Sequence, residues 1–305
     1  MIAPRFGWVA ISAAISSAAA SDVAFLPDGK YLVRCEGEVL KVKDTDDDFP
    51  ESELKLPDEL RTGVAALACT TEGLLAVAGK SGAMTWNPAS KEWKPLWHAP
   101  DSQGICDMAC DPKSGGIVFL TVAEGERPDD KPVWHFLPKG AAEAGKVFNR
   151  RAPGPVAPSF DVEGNLYFIC YGDVWKGGFD RGDSPENAVI LRGKRMWPIA
   201  DLETGSSNRD GALAEGVVAL GGRLLVHLDY SHSSGGMVRV PNVDPYKEGL
   251  PIKWEELLGD GGSAPLALAP DGKMAAAYVS QDKRWWVFRE PDNEPEPLSI
   301  DGHAK

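Results

Sequence analysis

The chain has 305 residues, of which 43% are hydrophobic and 25% charged, with 33 glycines, 24 prolines and 10 tryptophans. This is a folded, turn-rich composition that excludes a disordered chain. A net charge of −13 with no basic cluster excludes a nucleic-acid partner, because binding phosphates needs several cations gathered on one face.

In chain order, the first 20 residues carry Arg5, no acid, and an apolar and small run ending Ala18-Ala19-Ala20 before Ser21-Asp22. That pattern predicts a signal peptide over residues 1–20, export to the periplasm or beyond, and a mature chain of 21–305. The run is too short and too rich in Ser and Ala to span a membrane, and no later run is as long, so no span is expected after cleavage. If it is not cleaved, Phe6 to Ser16 could instead form a closing strand of an extra repeat unit.

From residue 21 onward one pattern recurs: an apolar run, a turn with Gly beside an acid or a second Gly, a further apolar run, and a third strand. The turn glycines are Gly29, Gly73, Gly116, Gly164, Gly222 and Gly272, spaced 43 to 58 residues apart. The third strands are expected over 38–42, 83–87, 133–136, 173–176, 237–240 and 285–288, and a last strand over 296–300. Four short strands fill such a period. The expectation is therefore one all-β domain, a six-bladed β-propeller of four-stranded antiparallel blades over about 21–60, 61–101, 102–152, 153–204, 205–260 and 261–305. Seven blades is the alternative, and closure needs no strand exchange between termini.

Leu26-Pro27-Asp28-Gly29-Lys30-Tyr31-Leu32, Ala269-Pro270-Asp271-Gly272-Lys273 and Gly172-Asp173-Val174-Trp175 resemble the repeats of TolB-type and NHL-like six-bladed propellers. Thr70-Thr71-Glu72-Gly73 lacks the proline and Gly221-Gly222 lacks the acid. The resemblance implies a fold shared by many functions.

The residues just before the turns form an apolar column: Phe25, Cys69, Cys110, Phe160, Val218 and Leu268. Cys69 and Cys110 are thus expected to be small core residues, as are Cys35 and Cys170 in second strands. Five cysteines cannot all pair within one chain. Cys106 and Cys110 on one strand would stand about 13 Å apart, beyond the roughly 7 Å a disulfide allows. CxxC, HExxH and GxSxG motifs are all missing, as is a sialidase-type Asp box, and the Asp-rich run 44–48 lacks the EF-hand glycine and glutamate.

In an up-and-down blade, the loop from second to third strand and the linker between blades share one end. Those loops are longest in copies three and five. They gather Asn208, Arg209, Asp210, Asp229, Tyr230 and His232 as candidate rim residues, with His227 at a strand end beside them. Three function classes follow. The leading expectation is an exported binding or interaction module without catalysis or cofactor, its partner a protein or small ligand. The alternative is a metal-dependent hydrolase, since an oxygen-rich rim can bind a divalent cation such as Ca²⁺. The arrangement resembles that of gluconolactonase-type propellers, and that resemblance implies Asn208, Asp210 and Asp229 as ligands. Third, Trp86, Trp134, Trp175 and Trp286 could line a sugar-binding face, although side chains at period-two positions between stacked blades are more often core.

Overall fold

The computed structural model describes residues 23–45, 50–61, 63–125, 132–149, 156–170, 173–181, 189–197, 212–230, 233–241, 255–258, 265–279, 283–290 and 294–298; at 148–149, 180–181, 189–197, 212–213, 229–230, 233–235, 241 and 255–256 it describes the backbone alone.

Among the described residues, alternating apolar residues build 24 strands that group four at a time. The first blade is β1 Val23–Phe25, β2 Tyr31–Glu36, β3 Val39–Asp44 and β4 Ser52–Lys55; the second is β5 Val64–Cys69, β6 Leu75–Gly79, β7 Gly82–Asn87 and β8 Glu92–His98. The third comprises β9 Gln103–Cys110, β10 Ile117–Ala123, β11 Val133–Leu137 and β12 Gly145–Asn149, and the fourth β13 Val156–Phe160, β14 Leu166–Cys170, β15 Asp173–Arg181 and β16 Val189–Trp197. The fifth is β17 Ala212–Leu220, β18 Arg223–Tyr230, β19 Ser233–Pro241 and β20 Glu255–Leu258, and the sixth β21 Leu266–Leu268, β22 Met274–Val279, β23 Arg284–Arg289 and β24 Pro295–Leu298. Strand order within each blade follows sequence order, so the fold is the expected six-bladed propeller of antiparallel blades, and neither the first nor the last blade borrows a strand. A seventh blade is not formed among the described residues. One feature was not foreseen: the outer strands β12 and β16 pair in parallel, Val147 opposite Val189, so blades three and four share an eight-stranded sheet. This pairing covers two edges that would otherwise offer unpaired backbone groups.

Period-two alternation sends successive side chains to opposite neighbours. Val23 and Phe25 pack toward blade six with Ala267, Ala276 and Trp285, while Ala24 and Leu26 pack toward blade two with Leu67, Leu75 and Val77. Six such clusters fill the six interfaces, which closes the ring. Each fully buried large apolar side chain in them contributes about 1.5–3 kcal/mol.

The hairpins after the inner strands are mostly not two-residue turns. Leu26 to Lys30 forms a turn in which the Gly29 N–H donates to Leu26 O and the Leu26 N–H to Tyr31 O; copy six repeats it, and in copies two and four the closing bond, Thr70 N–H to Leu74 O and Asp161 N–H to Asn165 O, spans one residue fewer. Blade five alone has the two-residue form, with Leu220 paired to Arg223. In copies three and five the left-handed glycine is Gly115 and Gly221, one residue before the expected position.

Candidate functional site

The first strand of each blade is innermost, so six strand edges surround a central channel. Topology divides its ends. The hairpins after the inner strands lie at one end, and the starts of those strands, with the loops between second and third strands, lie at the other. A cavity of about 410 Å³ occupies the channel and reaches the hairpin end, where Phe25, Cys69, Cys110, Ser159, Val218 and Leu268 contribute to its wall. Phe160 lines it too, so the column read from the sequence contributes to the channel lining. Phe25, Phe160 and Val218 are buried and belong to blade-interface clusters, Cys110 is half-buried and packs against the cluster between blades two and three, and Cys69 is half-buried at the cavity. Burial pushes the Cys69 thiol up to about 11 and the Cys110 thiol up to about 12, so both are protonated at neutral pH. Cys170 is buried as expected, and Cys35 is half-buried. Cys106 and Cys110 lie on one strand, unbridged.

The hairpin end is narrowed by an unequal set of turns. Because the turn of blade five is so short, the blade-four turn reaches past it. There Val162 packs on Gly272 of blade six, so closely that a Cβ on Gly272 would overlap the valine Cγ1.

Toward the strand-start end, four consecutive inner strands carry a bulge. The extra residue is Ala65 in β5, Cys106 in β9 and Glu215 in β17, and in β13 Ala157 and Pro158 together face Phe168. A bulge adds one unpaired residue, bends the strand and re-aims the side chain it carries. Among these residues only Glu215 bears a charge. The bulge places it beside His227 of β18, whose Nδ1 stands 3.5 Å from Glu215 Oε2, the imidazole buried and the carboxylate 16% exposed. His227 is not a rim residue. It sits within blade five, opposite Gly216 and Met237 in the ladder.

Of the candidate rim residues, Asn208, Arg209, Asp210 and His232 lie outside the described residues. Asp229 and Tyr230 end β18, with Asp229 opposite Leu213 and Tyr230 opposite Ala212, the first residues of an inner strand. Their backbone is thus at the strand-start end, where the loop argument put it; their side chains lie outside the description. The tryptophans read as possible sugar platforms pack between blades: Trp134 is buried with its ring edge-on to Phe168, Trp175 stacks on Phe168, and Trp86 and Trp286 join interface clusters. Glu215 was not singled out from sequence. Its signal is one acid in the otherwise apolar run Ala212 to Leu220.

No family model matches the chain, and no curated protein matches it. Solved structures do. A putative gluconolactonase superimposes with a TM-score of 0.58 at 13% identity, over 91% of this chain and 89% of that one. A gluconolactonase from Xanthomonas campestris gives 0.56 at 14%, over 84% and 81%. Regucalcin from Agrobacterium tumefaciens, a calcium-binding protein, gives 0.55 at 14%, over 84% and 80%. What these likenesses establish is a shared propeller fold. Nothing in them singles out the TolB or NHL repeats.

A cation held by oxygen ligands needs several donors meeting at one point. Among the described residues no group of three His, Cys, Asp or Glu side chains converges in that way. The described acidic, histidine and cysteine side chains alone therefore do not make a cation site.

Proposed function

We propose that this propeller hydrolyses small cyclic esters, with its site at the strand-start end of the channel. The observation that carries the reading is the bulge at Glu215, which sets a partly exposed carboxylate on an innermost strand against a buried imidazole. An isolated binding surface has no need of an acid–base pair in an otherwise apolar strand. Two of the solved structures of similar fold are described as gluconolactonases, which favours this reading over the non-catalytic binding module expected from sequence. The likeness to a calcium-binding propeller supports a divalent cation as part of the activity. Asn208, Asp210 and Asp229 remain its proposed ligands, and no step is routed through it.

The test is hydrolysis of a panel of γ- and δ-lactones, followed by proton release, with Ca²⁺, Mn²⁺ or Zn²⁺ added and after chelation. Turnover of at least one lactone above the spontaneous rate supports the proposal. Inert protein across the panel and all three ions sinks it, and returns the binding-module reading to first place.

A further inference from the structure

The hairpin half of the channel cavity takes no part in the reading above, which places the chemistry at the strand-start end. We infer that this half is a second site, a chamber that binds a small uncharged molecule carrying several hydroxyl groups.

Backbone geometry carries the inference. The Leu26 N–H donates to Tyr31 O, Thr70 N–H to Leu74 O, Asp111 N–H to Gly116 O, Asp161 N–H to Asn165 O and Ala269 N–H to Met274 O, so these five residues hold hydrogen-bonded positions opposite the second strands. Hydrogen-bonded and non-hydrogen-bonded pairs alternate along an antiparallel ladder. The residues just before them, Phe25, Cys69, Cys110, Phe160 and Leu268, therefore turn their own N–H and C=O away from the second strand and toward the channel. All five line the cavity. They form a ring of backbone donors and acceptors in equal number, and such groups need partners. A hydroxyl donates and accepts at once, so several hydroxyls on one small molecule match that ring. Ser159, half-buried on the same wall, adds a hydroxyl with no protein partner among the described residues.

The wall is uncharged. Among the described residues it carries no Lys, Arg, His or Glu. Its one carboxylate, Asp161, is buried and already accepts from the Asn165 N–H and Nδ2 at 2.7 Å each and from the Tyr167 hydroxyl at 3.2 Å. An ion would lose its water there without gaining a counter-charge. The cavity volume of about 410 Å³ falls within the range of small-molecule sites, about 300–1,000 Å³.

The chamber is open on one side. At the turn glycines of blades two, three, four and six, Gly73, Gly115, Gly164 and Gly272, a Cβ would meet the Pro27, Thr71, Lys113 and Val162 side chains of other turns. Those turns pack on one another across the hairpin end. Gly29 has the same left-handed backbone, yet a Cβ there meets nothing within 4 Å among the described residues. The open side thus lies between the turns of blades one and six, where Pro27 and Pro270 border the cavity.

Cys69 and Cys110 are built-in reporters. The experiment measures iodoacetamide labelling of each cysteine of the intact chain by peptide mass spectrometry, with myo-inositol, D-glucose or xylitol as neutral probes. D-Gluconate and N-methylglucamine serve as charged polyols, and K⁺ and Ca²⁺ as bare cations. At least one neutral polyol should slow labelling of Cys69 and Cys110 by about tenfold at about ten times its Kd, saturably. Cys35, Cys106 and Cys170 should be unaffected, and the charged probes should not protect. Ser159→Leu, which fills the chamber, should abolish the protection; if its thermal melt shows that it does not fold, Ser159→Ala should weaken affinity about two- to tenfold through loss of one hydrogen bond. No protection by any neutral polyol, equal protection by a charged probe or a cation, uniform slowing of all five cysteines, or undiminished protection in the folded Ser159 variant overturns the inference. None of these outcomes depends on lactone turnover, so the chamber and the proposed function stand or fall separately.

Discussion

Trp285 of the last blade donates its indole N–H to Glu51 Oε1 of the first blade at 3.1 Å, a contact between residues 234 positions apart. The same carboxylate accepts from Arg34 Nε at 3.1 Å and Nη2 at 2.8 Å, and the guanidinium lies 4.4 Å over the Tyr278 ring of blade six. No strand is exchanged across this seam, so side chains do there what a shared strand would do elsewhere. Arg289 adds a donor from blade six to Thr45 O at 3.1 Å.

Removing Glu51 leaves the buried Arg34 short of its bidentate partner. Glu51→Ala is expected to cost about 1.5–3 kcal/mol, since Arg34 keeps Glu36 at 2.7 Å and is not left without a counter-charge, and Trp285→Phe about 1.5 kcal/mol for one hydrogen bond to a charged acceptor. Urea unfolding of the two variants checks both values. Equal stability of Glu51→Ala and the intact chain would show that the apolar cluster closes the ring unaided.

His135 gives a pH dependence. Its Nε2 is 3.0 Å from Thr121 Oγ1, which also contacts Gln103 Oε1 at 2.6 Å, and its ring lies 5.2 Å from that of Trp97. Burial, with the nearby Lys146 charge second, lowers its pKa to about 4. A histidine lowered in the folded state binds its proton more readily when unfolded. Its neutral form therefore imposes no penalty above about pH 6.5, and stability is lost as pH falls from there toward about 4, by up to about 1.4 kcal/mol per pH unit. Urea midpoints at pH 7.5, 5.5 and 4.5 should fall less steeply in His135→Asn than in the intact chain.

The packing of Val162 on Gly272 can be separated from backbone strain. Gly29 and Gly272 occupy equivalent turns with φ of +70° and +69°, yet a Cβ would meet nothing at Gly29 and would overlap Val162 at Gly272. Gly29→Ala should cost about 1 kcal/mol, the left-handed penalty alone, and Gly272→Ala about 1–3 kcal/mol more from overpacking. Adding Val162→Ala to Gly272→Ala should recover the excess. Chemical denaturation of the three variants measures it; equal costs for the two glycines would mean that the blade-four turn yields freely.

Thiol chemistry reports on the channel. With Cys69, Cys106 and Cys110 raised to between about 11 and 12, chiefly by burial, native protein at pH 8 should react with iodoacetamide at least tenfold more slowly than denatured protein. Peptide mass spectrometry resolves the sites. Fast native labelling of Cys69 or Cys110 would show that the cavity admits solvent to the thiols more fully than their burial implies.

Sequence alone determined the repeat. Turn glycines such as Gly29 and Gly272 and the period-two runs between them are local demands of backbone geometry and alternation, so blade number, strand order and the column from Phe25 to Leu268 were legible without coordinates. That column was read as core, and Phe25, Phe160 and Val218 do pack in blade interfaces. Only closure of the ring made the same column part of a channel wall as well. The tertiary structure decided the rest: a bulge depends on register against a neighbouring strand, so Glu215 stood in sequence as an isolated acid and His227 as a rim residue, and only the pairing of β17 with β18 brought them together. The seam of Glu51 with Trp285 and the packing of Val162 on Gly272 join residues from separate repeats. No local pattern encodes such pairs, because their proximity exists only once six interfaces have closed on one another.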